Sequence, residues 1–398
     1  MKLNDWLLDK FKIKKDTRSF AQIVLSRFLW LFLLIGLFNG LIANQKPIFQ
    51  LHNGSLHFPA FSDVWADWTF AKRIRPKPTY EGWTIPAPIR YAYNTIDEKH
   101  MTFTRPGESQ NVASLWHRHW LGTDGLGRDV AAGLTRSLFN STKVGLLATI
   151  LAIIIGTLIG AMAGIFGDQK IKVNYLQGLC YLILTFYFIY YVFTAISSGS
   201  ILYLIISLVL LFFLFLNGRL WKPLKLKQIA LPFDQITSKL IEIRRSIPAL
   251  VWILACLPLF KSSSSLNLVI VLAFIGWTTF ARVARAETLN IINDGYIKYI
   301  EAVGVGSRRL LFKHIIPNIK DSIITIGVFA LGSNILLEAG LSFLGLGLEA
   351  DEISFGSMLS VAKGNLIAWW MVVFPGGILF MILFGLRLMV ENEPKTNI

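Results

Sequence analysis

Val144–Phe166 reads VGLLATILAIIIGTLIGAMAGIF, an apolar run without one charged side chain. A bilayer core about 30 Å thick is crossed by roughly 20 helical residues, so this stretch is long and apolar enough to span a membrane. The same test predicts spans at Phe20–Ile42, Tyr175–Ile196, Ile201–Leu216, Ser246–Phe260, Leu266–Ala284, Ser322–Leu348 and Leu366–Val390, about eight transmembrane helices in an all-α integral membrane protein. The short Ser246–Phe260 span is expected to continue inward through the amphipathic run Ile236–Arg245. Composition agrees: 54% of the 398 residues are hydrophobic and 16% charged, whereas soluble domains carry about 25% charged residues. That composition argues against a soluble enzyme.

The charge of +15 comes from 39 Lys and Arg against 24 Asp and Glu, and its placement decides its meaning. With both termini cytoplasmic, eight crossings place Lys170, Lys172, Arg219, Lys222, Lys225, Lys227, Lys239, Arg244, Arg245, Arg282, Arg285, Lys298, Arg308, Arg309, Lys313 and Lys320 inside, and leave Lys261 and Lys363 in the short outer loops. That is the positive-inside pattern, and it accounts for most of the basic surplus outside the long first loop without nucleic acid. The basic tail before Phe20 resembles a signal peptide's basic region, but no A-x-A cleavage pattern follows, so an uncleaved anchor is expected. The polar segment from Ala43 to about Thr142, rich in Pro, Trp and Tyr, is expected to be an ordered outer insertion, because disordered segments are poor in aromatics.

Motifs for catalysis are missing. No GxxxxGK[ST] phosphate loop, HExxH or GxSxG occurs, so the chain is read as a non-enzyme with no nucleotide or cofactor of its own. Cys180 and Cys256 lie singly in apolar runs and read as small membrane-buried hydrophobes. His117 and His119 in LWHRHWLG are spaced i, i+2, which ligates a metal only with further ligands close by; none is evident, and both read as solvated loop histidines, with no metal site expected. Glu338 in LLEAGLSFLGLG is the clearest intramembrane acid. It is either part of a translocation pathway or solvated near the outer interface.

The inner loop Ala284–Asp321, ARAETLNIINDGYIKYIEAVGVGSRRLLFKHIIPNIKD, is neither simply basic nor of low complexity. Asp294 before Gly295 breaks or caps a helix, Tyr296–Val303 makes about two turns, Gly304 and Gly306 end them, and Pro317 suits the first turn of the next helix. This segment resembles the EAA loop of binding-protein-dependent ABC importer permeases. With Gly304 as the motif glycine, His314, Ile315, Ile316, Pro317 and Asn318 follow ten residues later, similar to the HILPN ending of peptide and nickel importers. Lys298 then occupies the motif's glutamate position; either Glu301, one turn on, substitutes, or the acidic contact is missing.

Four further blocks resemble the same family in order. HWLGTDGLGRDVAAGL (His119–Leu134) is similar to HPLGTDxLGRDxxSR with Trp120 in place of proline, and it is followed by the apolar run through Asp168. GWTTFARVARAE (Gly276–Glu287), EAGLSFLGLGLEADEISFGSMLS (Glu338–Ser360) and AWWMVVFPGG (Ala368–Gly377) complete the match.

The resemblance implies a six-helix ABC importer permease core to which this chain adds a two-helix hairpin and an extracytoplasmic insertion. The expected organisation is a basic cytoplasmic tail (1–19), a first helix (20–42), the insertion (43–118), the GTDxxGRD block with the second core helix (119–168), the hairpin with its basic linker (169–232) and the remaining core (233–398), with coupling loop 286–318. It further implies a multi-pass inner-membrane subunit that carries short peptides by alternating access. Its expected partners are a second permease chain, two ATPase subunits using ATP and Mg, an extracytoplasmic substrate-binding protein and membrane lipid. Tyr296, Lys298, Glu301, Ala302, Gly304, Gly306, His314, Pro317 and Asn318 would contact the ATPase. Nickel or another small solute is the alternative cargo. A self-contained ion-coupled transporter or channel is the alternative class, and it would need several intramembrane acids and an internal repeat.

Overall fold

The computed structural model describes residues 27, 31–32, 34–52, 54–69, 82–112, 114–198, 200–220, 228–260, 264–348, 352–365 and 367–391. The basic tail, nearly half of Phe20–Ile42 and the linker 221–227 lie outside them. The protein is mostly helical. Four described helical runs are long and apolar enough to cross a membrane: Val130–Phe166, Ser265–Ile292, Ser307–Phe343 and Trp370–Val390. They contain the expected Val144–Phe166 and lie over Leu266–Ala284, Ser322–Leu348 and Leu366–Val390. The chain divides into two compact units, one of residues up to Phe139 together with those from Ile353 onward, the other Asn140–Glu352.

In the first unit the described residues after α1 (Asn39–Ile42) are not all helical, a departure from the all-α expectation. Strands β1 (Phe49–His52), β2 (Ser55–His57) and β3 (Trp83–Ile85) form an antiparallel sheet in the order β2-β1-β3, with Gln50 opposite His57 and Thr84. The signal was present in LHNGSLH, an Asn-Gly pair between short alternating stretches; Gly54 takes φ +72° in that turn. Helix α2 (Phe61–Thr69) follows the hairpin. Its inward carboxylates are paired: Lys46 Nζ lies 2.5 Å from Asp63, Asn44 donates to Asp63 at 2.9 Å, and Arg136 Nη1 lies 2.6 Å from Asp67. Helix α3 (Val130–Phe166) begins in this unit, where a Cβ on Gly133 would sit 3.3 Å from the Met358 methyl of α12 (Phe355–Ala362). Trp370, at the start of α13 (Trp370–Glu391), is fully buried and donates its indole N–H to the Thr123 carbonyl at 3.1 Å.

The second unit holds the rest of α3, the two-stranded ribbon β4 (Lys172–Asn174) with β5 (Gln228–Ala230), and the mutually packed pair α4 (Tyr175–Ser198) and α5 (Ile201–Leu220). That pair stands where the helical hairpin was expected. It leaves Leu182, Phe186, Leu202 and Phe212 more than half exposed, as suits side chains that face lipid rather than a protein core. Cys180 and Cys256 are unpaired and half-buried.

Ser246–Phe260 is not one inwardly extended span. Helix α6 (Phe233–Ser246) stops at Ile247, and α7 (Ala249–Cys256) starts after Pro248. Proline has no N–H to continue the ladder and pushes the residue before it out of the helical region; Ile247 is extended, with φ −99° and ψ 131°. Helix α8 (Ser265–Ile292) starts with the Ser264 hydroxyl accepting from the Asn267 amide. It packs against α3 through a stripe of small residues that the hydropathy reading passed over. Cβ atoms built on Gly156 and Gly160 would lie 2.3 Å from the Trp277 carbonyl oxygen and 2.1 Å from that of Ala281. Gly156-x3-Gly160-x3-Gly164 therefore lets two backbones touch, as membrane helices do where lipid supplies no hydrophobic drive.

Candidate functional site

Within the second unit, α9 (Gly295–Ala302) is the short helix expected at Tyr296–Val303. Asp294 is its N-cap, extended at φ −64° and ψ 140°. At the other end the Gly304 amide donates to the Glu301 carbonyl at 3.0 Å and the Val305 amide to that of Ile300 at 3.3 Å. These two bonds make a Schellman stop, which needs a left-handed residue at the first position past the cap; Gly304 supplies it with φ +87°.

The helix is two-faced. Ile297 and Ile300 are buried in a cluster with Phe280 and Ala284 of α8, Leu310, Leu311 and Ile315, and Ile319 and Ile323 of α11 (Ile316–Phe343). Tyr296, Tyr299 and Val303 are 59%, 69% and 65% exposed, so an apolar and aromatic face has no cover from the described residues. Lys298 and Ala302 are exposed beside it, and Glu301 is half-buried, its carboxylate 2.8 Å from Lys170 Nζ just beyond α3. Tyr296 Oη pairs with His314 Nδ1 at 3.0 Å, and Asn318 donates to the His314 carbonyl at 2.9 Å. Among the described residues, nothing lies within 4 Å of a Cβ built on Gly304 or Gly306.

Pro317 does stand in the first turn of α11, but the helical run begins ten residues earlier than expected from the proline alone. Gly306 caps α10 (Ser307–Leu310), a π turn Leu311–Ile315 follows, and α11 continues from it. A proline ring clashes with the carbonyl four residues back in a regular helix, and a π turn, with its wider i to i+5 spacing, is one way to keep the run going. The buried face of α9 thus rests on the same rod that carries Glu338. Glu338 is fully buried and accepts from the Ser141 hydroxyl and, at 2.8 Å, from that of Ser342. The solvated-interface reading of this residue is overturned.

In the first unit the GTDGLGRD block is built against the segment 97–104. The Asp97, Phe103 and Thr123 amides donate to the carbonyls of Gly127, Asp124 and Thr104. Gly122 and Gly127 take φ +81° and +78°, and a Cβ on either would lie 2.5 Å from the Thr104 oxygen or 2.3 Å from that of Asp97. These two glycines are fixed by close backbone approach. The motif aspartates work locally: Asp124 accepts from Arg128 Nε at 2.7 Å, and Asp129 from the Ala132 amide at 2.8 Å.

Residues 230–391 match the family described as binding-protein-dependent transport system inner membrane component. The peptidoglycan transport system permease protein YejE of Agrobacterium fabrum is 26% identical over 372 residues, covering 86% of this chain and 81% of its own. Residues 230–391 thus carry the permease domain of binding-protein-dependent transport systems. The inner membrane ABC transporter permease protein YejE of Escherichia coli is 28% identical over 358 residues (86% and 84%), and the oligopeptide transport system permease protein OppC of Mycobacterium tuberculosis 23% over 303 residues (76% and 79%). Among solved structures, the inward-facing MetNI methionine ABC transporter is 13% identical, covers 65% of this chain and 95% of its own, and has a TM-score of 0.41.

The permease departs from expectation at one more place. His119 is not a solvated loop histidine: it is wholly buried, with Nδ1 2.7 Å from Asp129 and Nε2 3.3 Å from Asp97. His100 Nδ1 lies 2.9 Å from the same Asp97 oxygen. Burial works against a charged His119, but the hydrogen bonds and charges of Asp129 and Asp97 outweigh it and hold its pKa above the ordinary value. Asp97 is likewise raised by burial but lowered overall by His100, the Lys99 amide and His119. Tyr91, stacked on the His119 ring at 4.3 Å, is pushed up to about 12 by burial and by the two carboxylates. The i, i+3 pair Asp97 and His100 was visible in the sequence; its meeting with His119 was not.

Proposed function

We propose that the permease forms half of the translocation path of an ATP-driven importer of short peptides, moved by ATPase subunits that dock on α9 and the Gly304–Asn318 segment. The observation that carries this reading is the exposed face of Tyr296, Tyr299 and Val303 on a helix whose other face is locked into the core shared by α3, α8 and α11. A load on α9 reaches three apolar helices directly. Relatives named for oligopeptide and peptidoglycan transport support peptide cargo. In this reading Lys298 and Ala302 flank the dock, and Glu301 holds Lys170 rather than meeting the ATPase. The second permease chain, the two ATPase subunits with their ATP and Mg, and the extracytoplasmic binding protein complete the assembly, with about eight spans and both termini cytoplasmic here.

Gly304 supplies the test. A left-handed φ costs an ordinary residue about 1–2 kcal/mol, so Gly304→Ala reports that strain alone. Gly304→Trp adds bulk where the described residues leave open space, so a further loss points to a partner. The expected outcome is normal membrane abundance for both, a modest fall in substrate-stimulated ATP hydrolysis for Ala and at least a tenfold fall for Trp. Equal hydrolysis by the two variants in the assembled complex sinks the docking role.

Glu338 is assigned to the translocation pathway. Glu338→Gln preserves shape and the two serine contacts while removing charge, and at least a tenfold fall in peptide uptake at unchanged abundance is expected. Unchanged uptake removes Glu338 from the pathway.

A further inference from the structure

We propose that Asp97, His100 and His119 bind one divalent transition cation of the zinc class, tying the segment 97–104 to the GTDGLGRD block. Each of the three offers one ligand atom, and these atoms all lie within 4.8 Å of one another. A tetrahedral cation with bonds of about 2.0–2.1 Å holds its ligands about 3.3–3.5 Å apart. His119 Nε2 and Asp97 Oδ2 are already 3.3 Å apart, and His100 Nδ1 is 2.9 Å from that oxygen. Side-chain shifts of less than an ångström therefore open the cluster to a cation.

The surroundings are those of a built site. The Nδ1 of His119 faces Asp129 at 2.7 Å, a carboxylate behind a ligating imidazole that fixes its tautomer and turns Nε2 toward the cluster. Tyr91 stacks on the His119 ring, His100 packs edge-on to it at 5.5 Å, and His100 is itself buried. The backbone is pinned on both sides. The Asp97 amide donates to the Gly127 carbonyl, and the His100 carbonyl accepts from the Thr123 hydroxyl at 2.9 Å. Imidazole with carboxylate suits zinc and its neighbours better than the all-oxygen sets of calcium or magnesium. Three protein ligands leave a fourth position for water. Bound there, the cation adds a cross-link between two stretches about twenty residues apart.

The test uses the full chain, purified in detergent without a histidine tag, stripped with chelator and titrated with zinc or cobalt. One equivalent of zinc at micromolar concentration is expected by elemental analysis, and cobalt should show the visible d–d bands of an ordered four- or five-coordinate site. His100→Asn and Asp97→Asn should weaken binding at least tenfold. Asp129→Asn, a positioning change, should weaken it about 10–100-fold while leaving the cobalt coordination number unchanged. A double His52→Asn, His57→Asn variant, altering two of the three other histidines of the outer segment, should bind as the parent does. Should a cluster variant fail to fold, the parent's cobalt spectrum decides. A featureless spectrum, less than a tenth of an equivalent of zinc, or unchanged binding by folded His100→Asn overturns the proposal.

Discussion

Gly160→Leu should leave less than a tenth of the normal amount of permease in the membrane, the largest effect expected of any single change in the second unit. The Cβ alone would lie 2.1 Å from the Ala281 carbonyl oxygen and 2.8 Å from that residue's carbonyl carbon and Cα. No rotamer relieves a contact between backbones, so α3 and α8 must move apart. Gly156 and Gly164 sit one helical turn to either side, with Cβ positions 2.7 Å from the Phe280 and Thr288 side chains respectively, so the separation propagates along the seam. Ala161, Ile165, Phe280 and Ala284 then lose their packing, and with them Ile297 and Ile300 lose the cluster that anchors α9. Overpacking against yielding side chains costs about 1–3 kcal/mol; an unyielding backbone exceeds that range, against a total stability of about 5–15 kcal/mol. Gly340→Ala is the control, because no described atom lies within 4 Å of its Cβ. Alanine is the better helix former by about 0.5–1 kcal/mol, so abundance and melting temperature should hold or rise slightly. Quantitative blotting of membranes reads both variants, and equal abundance of Gly160→Leu and parent refutes the seam.

That seam also shows what a hydropathy reading passes over. The run Val144–Phe166 is legible as a span because charge and length are local properties, and the glycines inside it stand at a spacing any reader can see. What they face is set by α8, more than a hundred residues further along. Local chemistry was read well elsewhere. Asp294, Gly304 and Pro317 punctuate the chain through their own backbone preferences, and the helix between the first two lies one residue from its expected bounds. Pro248 carried the same kind of signal, and it outweighed the amphipathic pattern that joined Ile236–Arg245 to the next helix. The residues that escaped reading are those that act in pairs across distance: Asp97 and His100 with His119, Ser141 with Glu338, Asp67 with Arg136. A lone acid or base in a polar insertion reads as solvated, and only the fold reveals that it is buried.

Asp67 and Arg136 give that distinction a measurable size. Asp67 of α2 and Arg136 in the second turn of α3 meet at 2.6 Å with side chains 2% and 7% exposed. The guanidinium lies 4.8 Å from the Tyr93 ring centre and 5.3 Å from that of Phe139, and Asn39 donates to Asp67 at 3.4 Å. Asp67→Ala leaves the guanidinium buried with its carboxylate gone. Breaking a buried pair in this way costs about 3–5 kcal/mol, and ring contacts worth about 0.5–2 kcal/mol were present before the change and offset none of it. The purified permease should therefore unfold on heating at a clearly lower temperature. Because the penalty belongs to the stranded charge rather than to the missing bond, removing the charge as well should return most of the loss: replacing both partners of a buried pair by apolar groups is often neutral or stabilising. Asp67→Leu with Arg136→Met is thus expected to be more stable than Asp67→Ala alone, giving a coupling of opposite sign to simple additivity in the double-mutant cycle that includes Asp67→Leu and Arg136→Met singly. A double variant no more stable than either single change would mean that water reaches the pair and that α2 is not held to α3 by a buried charge.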